Sequence, residues 1–272
     1  MPLIAKVHIA TRFRNGKTIL QSSFCNQPYK LADITEDRKE QRLRLMMMCS
    51  SPGILDGDDY DIVIDVNEQC ELELQTQSFQ RLFTMKKGAK QKMQVNIAAG
   101  GSLKFLPHPV VPHEGAIYAS SYSIYLHANS SLLWGEVISC GRKLNGEVFR
   151  FTSYQNTTSV YMAGKLVIKE NILLQPAKMD LQAIGQLEGY THQATLLYIN
   201  DAVDIFSIME ALHSYLLPQQ DVAFGVSQLP VKGIIIRLMG YKAGQLHEIL
   251  LQAATTIENH NQQTLKPEEY VA

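Results

Sequence analysis

The chain has 272 residues, nearly half of them apolar and about a fifth charged. That is enough for one large β domain or two small ones and excludes a disordered protein. Lys plus Arg number 25 against 26 for Asp plus Glu, a net charge of −1, so the chain lacks the basic excess that favours nucleic acid or an anionic membrane surface.

The N-terminal segment reads as strands. Val7 and Ile9 alternate with polar residues, Asn15-Gly16 marks a hairpin turn because both residues tolerate positive φ, and Ile19 follows. The Lys and His in Met-Pro-Leu-Ile-Ala-Lys-Val-His argue against a signal peptide, and no apolar run reaches the roughly 18–20 residues of a membrane span. The cytoplasm is the expected compartment. Cys25, Cys49, Cys70 and Cys140 form no Cys-x-x-Cys pair and read as reduced thiols. Asp33 to Arg44 is polar and leads into Leu45-Met46-Met47-Met48.

The middle carries a weak internal repeat. Ile62 and Ile64 lead through Asn67-Glu68 to Leu72 and Leu74. Val95 and Ile97 lead through Gly100-Gly101 to Leu103 and Phe105. Ile124 and Leu126 lead through Asn129-Ser130 to Leu132 and Trp134. The spacing from Ile64 to Leu72, Val95 to Leu103 and Ile124 to Leu132 is the same, and the units recur at about 30 residues. Such a period fits stacked, solenoid-like units, and also an ordinary β-sandwich with evenly spaced strands.

The last quarter changes character. Val203, Phe206, Met209, Leu212 and Leu216 predict a helix within Asp201–Leu217. Gly233-Ile234-Ile235-Ile236 predicts a buried strand, and Leu246, Ile249, Leu250, Ala253 and Ile257 a helix over Gln245–Ile257. The expected fold is mainly β, with a β-solenoid/β-helix-like body and about two C-terminal α-helices. Residues 1–257 are expected to form a single domain, and 258–272 a polar, disordered tail.

Nucleotide chemistry is not encoded. In Gly141-Arg142-Lys143-Leu144-Asn145-Gly146-Glu147 the position that must be Lys in a phosphate loop is Glu147. No nucleophile elbow and no His-Glu-x-x-His occurs. Metal ligands are the richer class. His108 and His113 flank a Pro-rich turn, Asp56, Asp58, Asp59 and Asp61 crowd together, and Glu136 lies in an otherwise apolar strand.

Several segments together resemble one family. Ser50-Ser51-Pro52-Gly53-Ile54-Leu55-Asp56-Gly57-Asp58, Thr76-Gln77-Ser78, Leu103-Lys104-Phe105-Leu106-Pro107, Glu136 to Arg142 with Gly146-Glu147-Val148-Phe149, and Gly233 to Gly240 stand in the order of the UreD/UreH urease accessory family. The resemblance implies a non-enzymatic metallochaperone that binds the helical accessory protein UreF, the GTPase UreG and the urease apoprotein. It further implies that nickel passes through an internal, water-filled passage toward the urease active site. No tightly bound cofactor is expected, only nickel in transit, with GTP held by the partner GTPase.

Asp58, Glu136 and Glu147 are the candidate nickel-path carboxylates, with His108 and His113 as further metal candidates. Pro52, Gly53, Gly57, Gly141, Arg142 and Gly146 are structural motif positions. Two departures from the family pattern stand out: Gln75 replaces the first Thr of Thr-Thr-Gln, and Lys104 replaces a Glu. A pure scaffold with metal travelling outside it, and an unrelated β-helical carbohydrate enzyme, are the competing readings.

Overall fold

The computed structural model describes residues 4–37 and 39–264. The chain is mainly β, and the helices sit in its C-terminal part. Strands β1 (Ile4–Arg14) and β2 (Lys17–Cys25) form the expected hairpin, with Asn15 and Gly16 at φ of 51° and 76°. β3 (Tyr29–Asp33) pairs antiparallel with β4 (Leu43–Cys49). The chain then crosses repeatedly between two sheets. β5 (Asp59–Val66), β8 (Ala89–Ile97), β11 (Ile117–Leu126) and β13 (Ser153–Met162) lie in one sheet with β1. β6 (Glu71–Thr76), β9 (Ser102–Phe105) and β12 (Ser131–Ile138) lie in the other with β4. Short β7 (Gln80–Leu82) and β10 (Val110–Pro112) pair in parallel between the crossings.

The internal repeat corresponds to strand register. Ile64 lies opposite Val95, and Val95 opposite Ile124, all in parallel pairs. On the other sheet Leu72 faces Leu103, and Leu103 faces Leu132. Alternation fixes which side chains point inward, so equal spacing across each turn stacks like residues on like. The central pairings are parallel, unlike the antiparallel strands of an immunoglobulin-type sandwich.

The remaining strands are antiparallel additions. β14 (Lys165–Leu174) pairs with β13, β15 (His192–Asn200) with β12, and β17 (Gly233–Gly240) with β15. β16 (Val222–Gln228) closes that edge. Helix α1 (Ile205–Leu216) starts at Asp204, whose side chain accepts from the Phe206 N–H at 3.1 Å, and α2 (Ala243–Thr264) packs against it. The result is three layers. One core fills the space between the sheets, with Ile62, Ile64, Val95, Ile124 and Trp134. A second lies between the outer face of the β12–β15–β17 sheet and the helices, with Leu196, Ile236, Leu246 and Ala253. Burial on both faces explains the near-continuous apolar runs of β15 and β17.

The end of α2 departs from expectation. Residues 258–272 are expected to form a polar, disordered tail, but the chain is helical through Thr264. Two of the polar residues there are tied to the β body: Glu258 bonds Arg42 at 2.6 Å and Lys104 at 2.8 Å, and the Asn261 amide donates to Tyr198 Oη at 2.8 Å. The rest of that segment, 265–272, lies outside the described residues. Lys104, the residue that departs from the family pattern, is thus part of the lock between helix and sheet.

Gly53 shows how tightly the crossings pack. A methyl group there would fall 2.4 Å from the Arg81 carbonyl oxygen and 2.8 Å from the Phe83 ring. Relief requires the backbone of β7 to shift, which costs about 1–3 kcal/mol. Gly53→Ala is expected to lower the urea midpoint accordingly. Gly225→Ala, whose methyl meets open space, serves as the control, and equal midpoints for the two variants would contradict this packing.

Candidate functional site: an interior cavity with a buried carboxylate

Between the two sheets lies a cavity of about 120 Å³, roomy enough for several water molecules. Four distant segments meet around it. Ser51-Pro52-Gly53 comes from the turn after β4, and Thr76-Gln77-Ser78 from the end of β6. Pro107-His108 comes from the loop after β9, and Glu136-Val137-Ile138 from β12. These are among the segments that carry the family resemblance. Gln91, Tyr122, Asn156, Gln193 and Thr195 add a polar lining, and Met47, Met93 and Ile172 an apolar one.

Glu136 is the only one of the three candidate carboxylates that lines this cavity. Its Oε1 accepts from Trp134 Nε1 and Thr158 Oγ1, and its Oε2 from Asn156 Nδ2, each at 2.8 Å. All three donors are neutral, and no cation among the described residues forms an ion pair with it. The carboxylate keeps some exposure because it faces the cavity, yet protein surrounds it on every side. Burial therefore pushes its pKa above the ordinary carboxylate value, against the pull of the three hydrogen bonds.

Asn156, which lines the cavity, keeps its Oδ1 buried without a partner. An unpaired polar atom beside a cavity of this size is a natural site for water. A separate, smaller void of about 10 Å³ is lined by Glu136, Thr158 and Glu170. Glu170 is held in turn by Arg237 Nη2 at 2.7 and 2.8 Å.

The other two carboxylates are engaged locally. Asp58 Oδ2 accepts from the Leu55 N–H and from Tyr60 Oη, both at 2.8 Å, which fixes the turn containing Gly57 at φ 85°. Glu147 bonds the Arg142 guanidinium and accepts from the Glu114 N–H at 3.2 Å. The Arg142 contact holds its carboxyl below the usual range. Between them the chain makes a tight turn. Gly141, at φ 123°, brings its Cα under the Glu147 and Pro112 carbonyls, and Gly146 takes the left-handed position that ends the turn.

The two candidate histidines have different surroundings. His108 lines the cavity, and its ring centre lies 4.9 Å from that of His247 on α2. His113 is buried against Phe83 at 4.8 Å, and burial lowers its pKa. Among the described residues, no cluster of three or more His, Cys, Asp or Glu side chains is placed to hold a metal ion. Sequence reasoning missed Asn156 and Thr158, although both are polar residues on the alternation that points β13 inward. It also missed His247, for which no local pattern exists. No helix among the described residues is long and apolar enough to cross a membrane.

Comparison with known proteins gives the family. The family described as UreD urease accessory protein matches residues 4–269. Among curated relatives, a urease accessory protein UreD from Flavobacterium johnsoniae is 45% identical over 246 residues, covering 90% of this chain and 89% of that protein. One from Acetivibrio thermocellus is 30% identical over 247 residues, covering 90% and 94%. One from Haemophilus influenzae is 33% identical over 258 residues, covering 90% and 95%. With a match along nearly its whole length, the chain belongs to the UreD urease accessory protein family and is an accessory protein of urease maturation, not an enzyme.

Proposed function

We propose that this chain bridges UreF and UreG to apo-urease in the cytoplasm and passes nickel through its interior cavity toward the urease active site. The single observation that carries the reading is Glu136: a carboxylate enclosed by protein, bonded only to neutral donors, facing a cavity with room for water. Burial without a counter-cation is costly. An entering nickel ion would supply the missing charge, and the hydrated polar lining would let it leave again. The metal here is cargo, and GTP belongs to the partner GTPase. The parallel, in-register crossings support reading the body as solenoid-like, with the passage between its two sheets.

A scaffold that holds the complex together while nickel travels outside it is the second reading, favoured by the small size of the separate void beside Glu136. Purified apo-urease is mixed with nickel-loaded GTPase, the helical partner and GTP, with and without this chain. The expected result is a complex containing the chain and urease activity that depends on it. Full activation without the chain, or no complex with it, would contradict the proposal.

A further inference from the structure

Helix α2 brings His247 against His108, which lines the cavity, and neither sequence spacing nor strand register predicts the meeting. The chain fixes the His108 ring on one side. His108 Nδ1 lies 2.9 Å from Thr76 Oγ1. His247 Nε2 is shielded from solvent and has no hydrogen-bond partner. A histidine anchored through one ring nitrogen can present the other as a ligand, the arrangement common at metal-bound histidines.

The spacing fits one shared ion. With metal–nitrogen bonds of about 2.1 Å, two imidazoles on adjacent positions of one cation hold their ring centres roughly 4.5–5 Å apart. The observed separation is 4.9 Å, with the planes tilted by 33°. Imidazole pairs suit late first-row divalent cations. Two protein ligands, with water completing the shell, make a site that loads and releases.

We propose that His108 and His247 form a two-imidazole station for a divalent late transition metal at the cavity. This rests on the passage reading for its role, although binding can be tested without it. Because His247 belongs to α2 and His108 to the loop after β9, an ion held there would also pin the helix to the β body.

The test is nickel titration of the purified full-length chain, followed by calorimetry and by competition with a chromophoric chelator. X-ray absorption would report the ligands. His108→Ala and His247→Ala are each expected to weaken nickel binding at least tenfold, with little further loss in the double variant. His127→Ala, at an exposed position, is expected to bind as wild type does. The absorption spectrum should contain two imidazoles. Equal affinity for wild type and the double variant, no nickel binding by wild type, or a spectrum without imidazole would each overturn the station. Circular dichroism melts of the variants separate ligand loss from unfolding. His108→Gln with His247→Gln, which keeps polar side chains at both positions, repeats the test if the alanine variants are unstable. Loss of nickel binding with urease activation intact would support the station and count against the passage, so the two ideas fail separately.

Discussion

Glu73→Ala is expected to cost about 2–3 kcal/mol of folding stability. Glu73 is the hub of an ion network that ties helix α2 to the β body. Its carboxylate lies 3.4 Å from Arg42 Nη1, 3.3 Å from Arg44 Nε and 3.9 Å from Lys104 Nζ, and its side chain is 10% exposed. Breaking a buried pair by removing one partner costs roughly 3–5 kcal/mol, because the charge left behind is uncompensated. Here Arg42 and Lys104 keep Glu258, and Arg44 keeps Glu40 at 2.8 Å. Their partial exposure reduces the penalty further. Burial would raise the carboxyl pKa, but Lys104, Gln75 and the two arginines outweigh it and hold it below the ordinary value. The stability Glu73 contributes is therefore complete above the unfolded-state carboxylate pKa and is lost as pH falls through the lower folded value. Urea unfolding of wild type and variant should diverge at pH 7 and converge in acid. A constant gap at every pH would contradict this assignment.

At Glu136 two substitutions should move stability in opposite directions. Glu136→Ala strands Trp134 Nε1, Thr158 Oγ1 and Asn156 Nδ2 without their acceptor, and cavity water can replace only part of it. The expected cost is about 2–3 kcal/mol. Glu136→Gln keeps an acceptor for Trp134 and Thr158. Its amide can donate to Asn156 Oδ1, now unpaired, once the Asn156 amide turns over. The native carboxyl has a pKa above its unfolded value, so the native state holds a proton that the unfolded state releases first. Wild type then loses stability as pH rises through the window between the two values, and the Gln variant does not. Thermal melts should place Glu136→Gln above wild type at pH 8 and level with it at pH 4. A Gln variant less stable than wild type at pH 8 would contradict the account of this carboxylate.

Much of this was legible in the chain. The repeat could be read because alternation and equal spacing are local properties, and the structure adds the register, in which Ile64, Val95 and Ile124 lie side by side. Glu136 was legible for a similar reason: a charge on an apolar strand has few places to go. The polar end of α2 misled, since Glu258 and Asn261 look like solvent-facing residues until Arg42, Lys104 and Tyr198 are brought beside them by the fold. Asp58 and Glu147 match the chemistry of a metal ligand, and the fold adds what the sequence does not show: Asp58 Oδ2 is held by Leu55 and Tyr60, and Glu147 by Arg142 and Glu114. No local pattern encodes the meeting of His108 with His247, because a helix and a loop distant in sequence create it only after the sheets are built.

The claim that nickel travels through this protein turns on one measurement: nickel bound per urease active site after reconstitution with wild type or Glu136→Gln, at matched amounts of assembled complex. Removing the interior charge while keeping its shape is predicted to cut nickel loading at least tenfold with complex formation unchanged. Equal loading by the two proteins would contradict passage through the cavity and leave the chain as a scaffold.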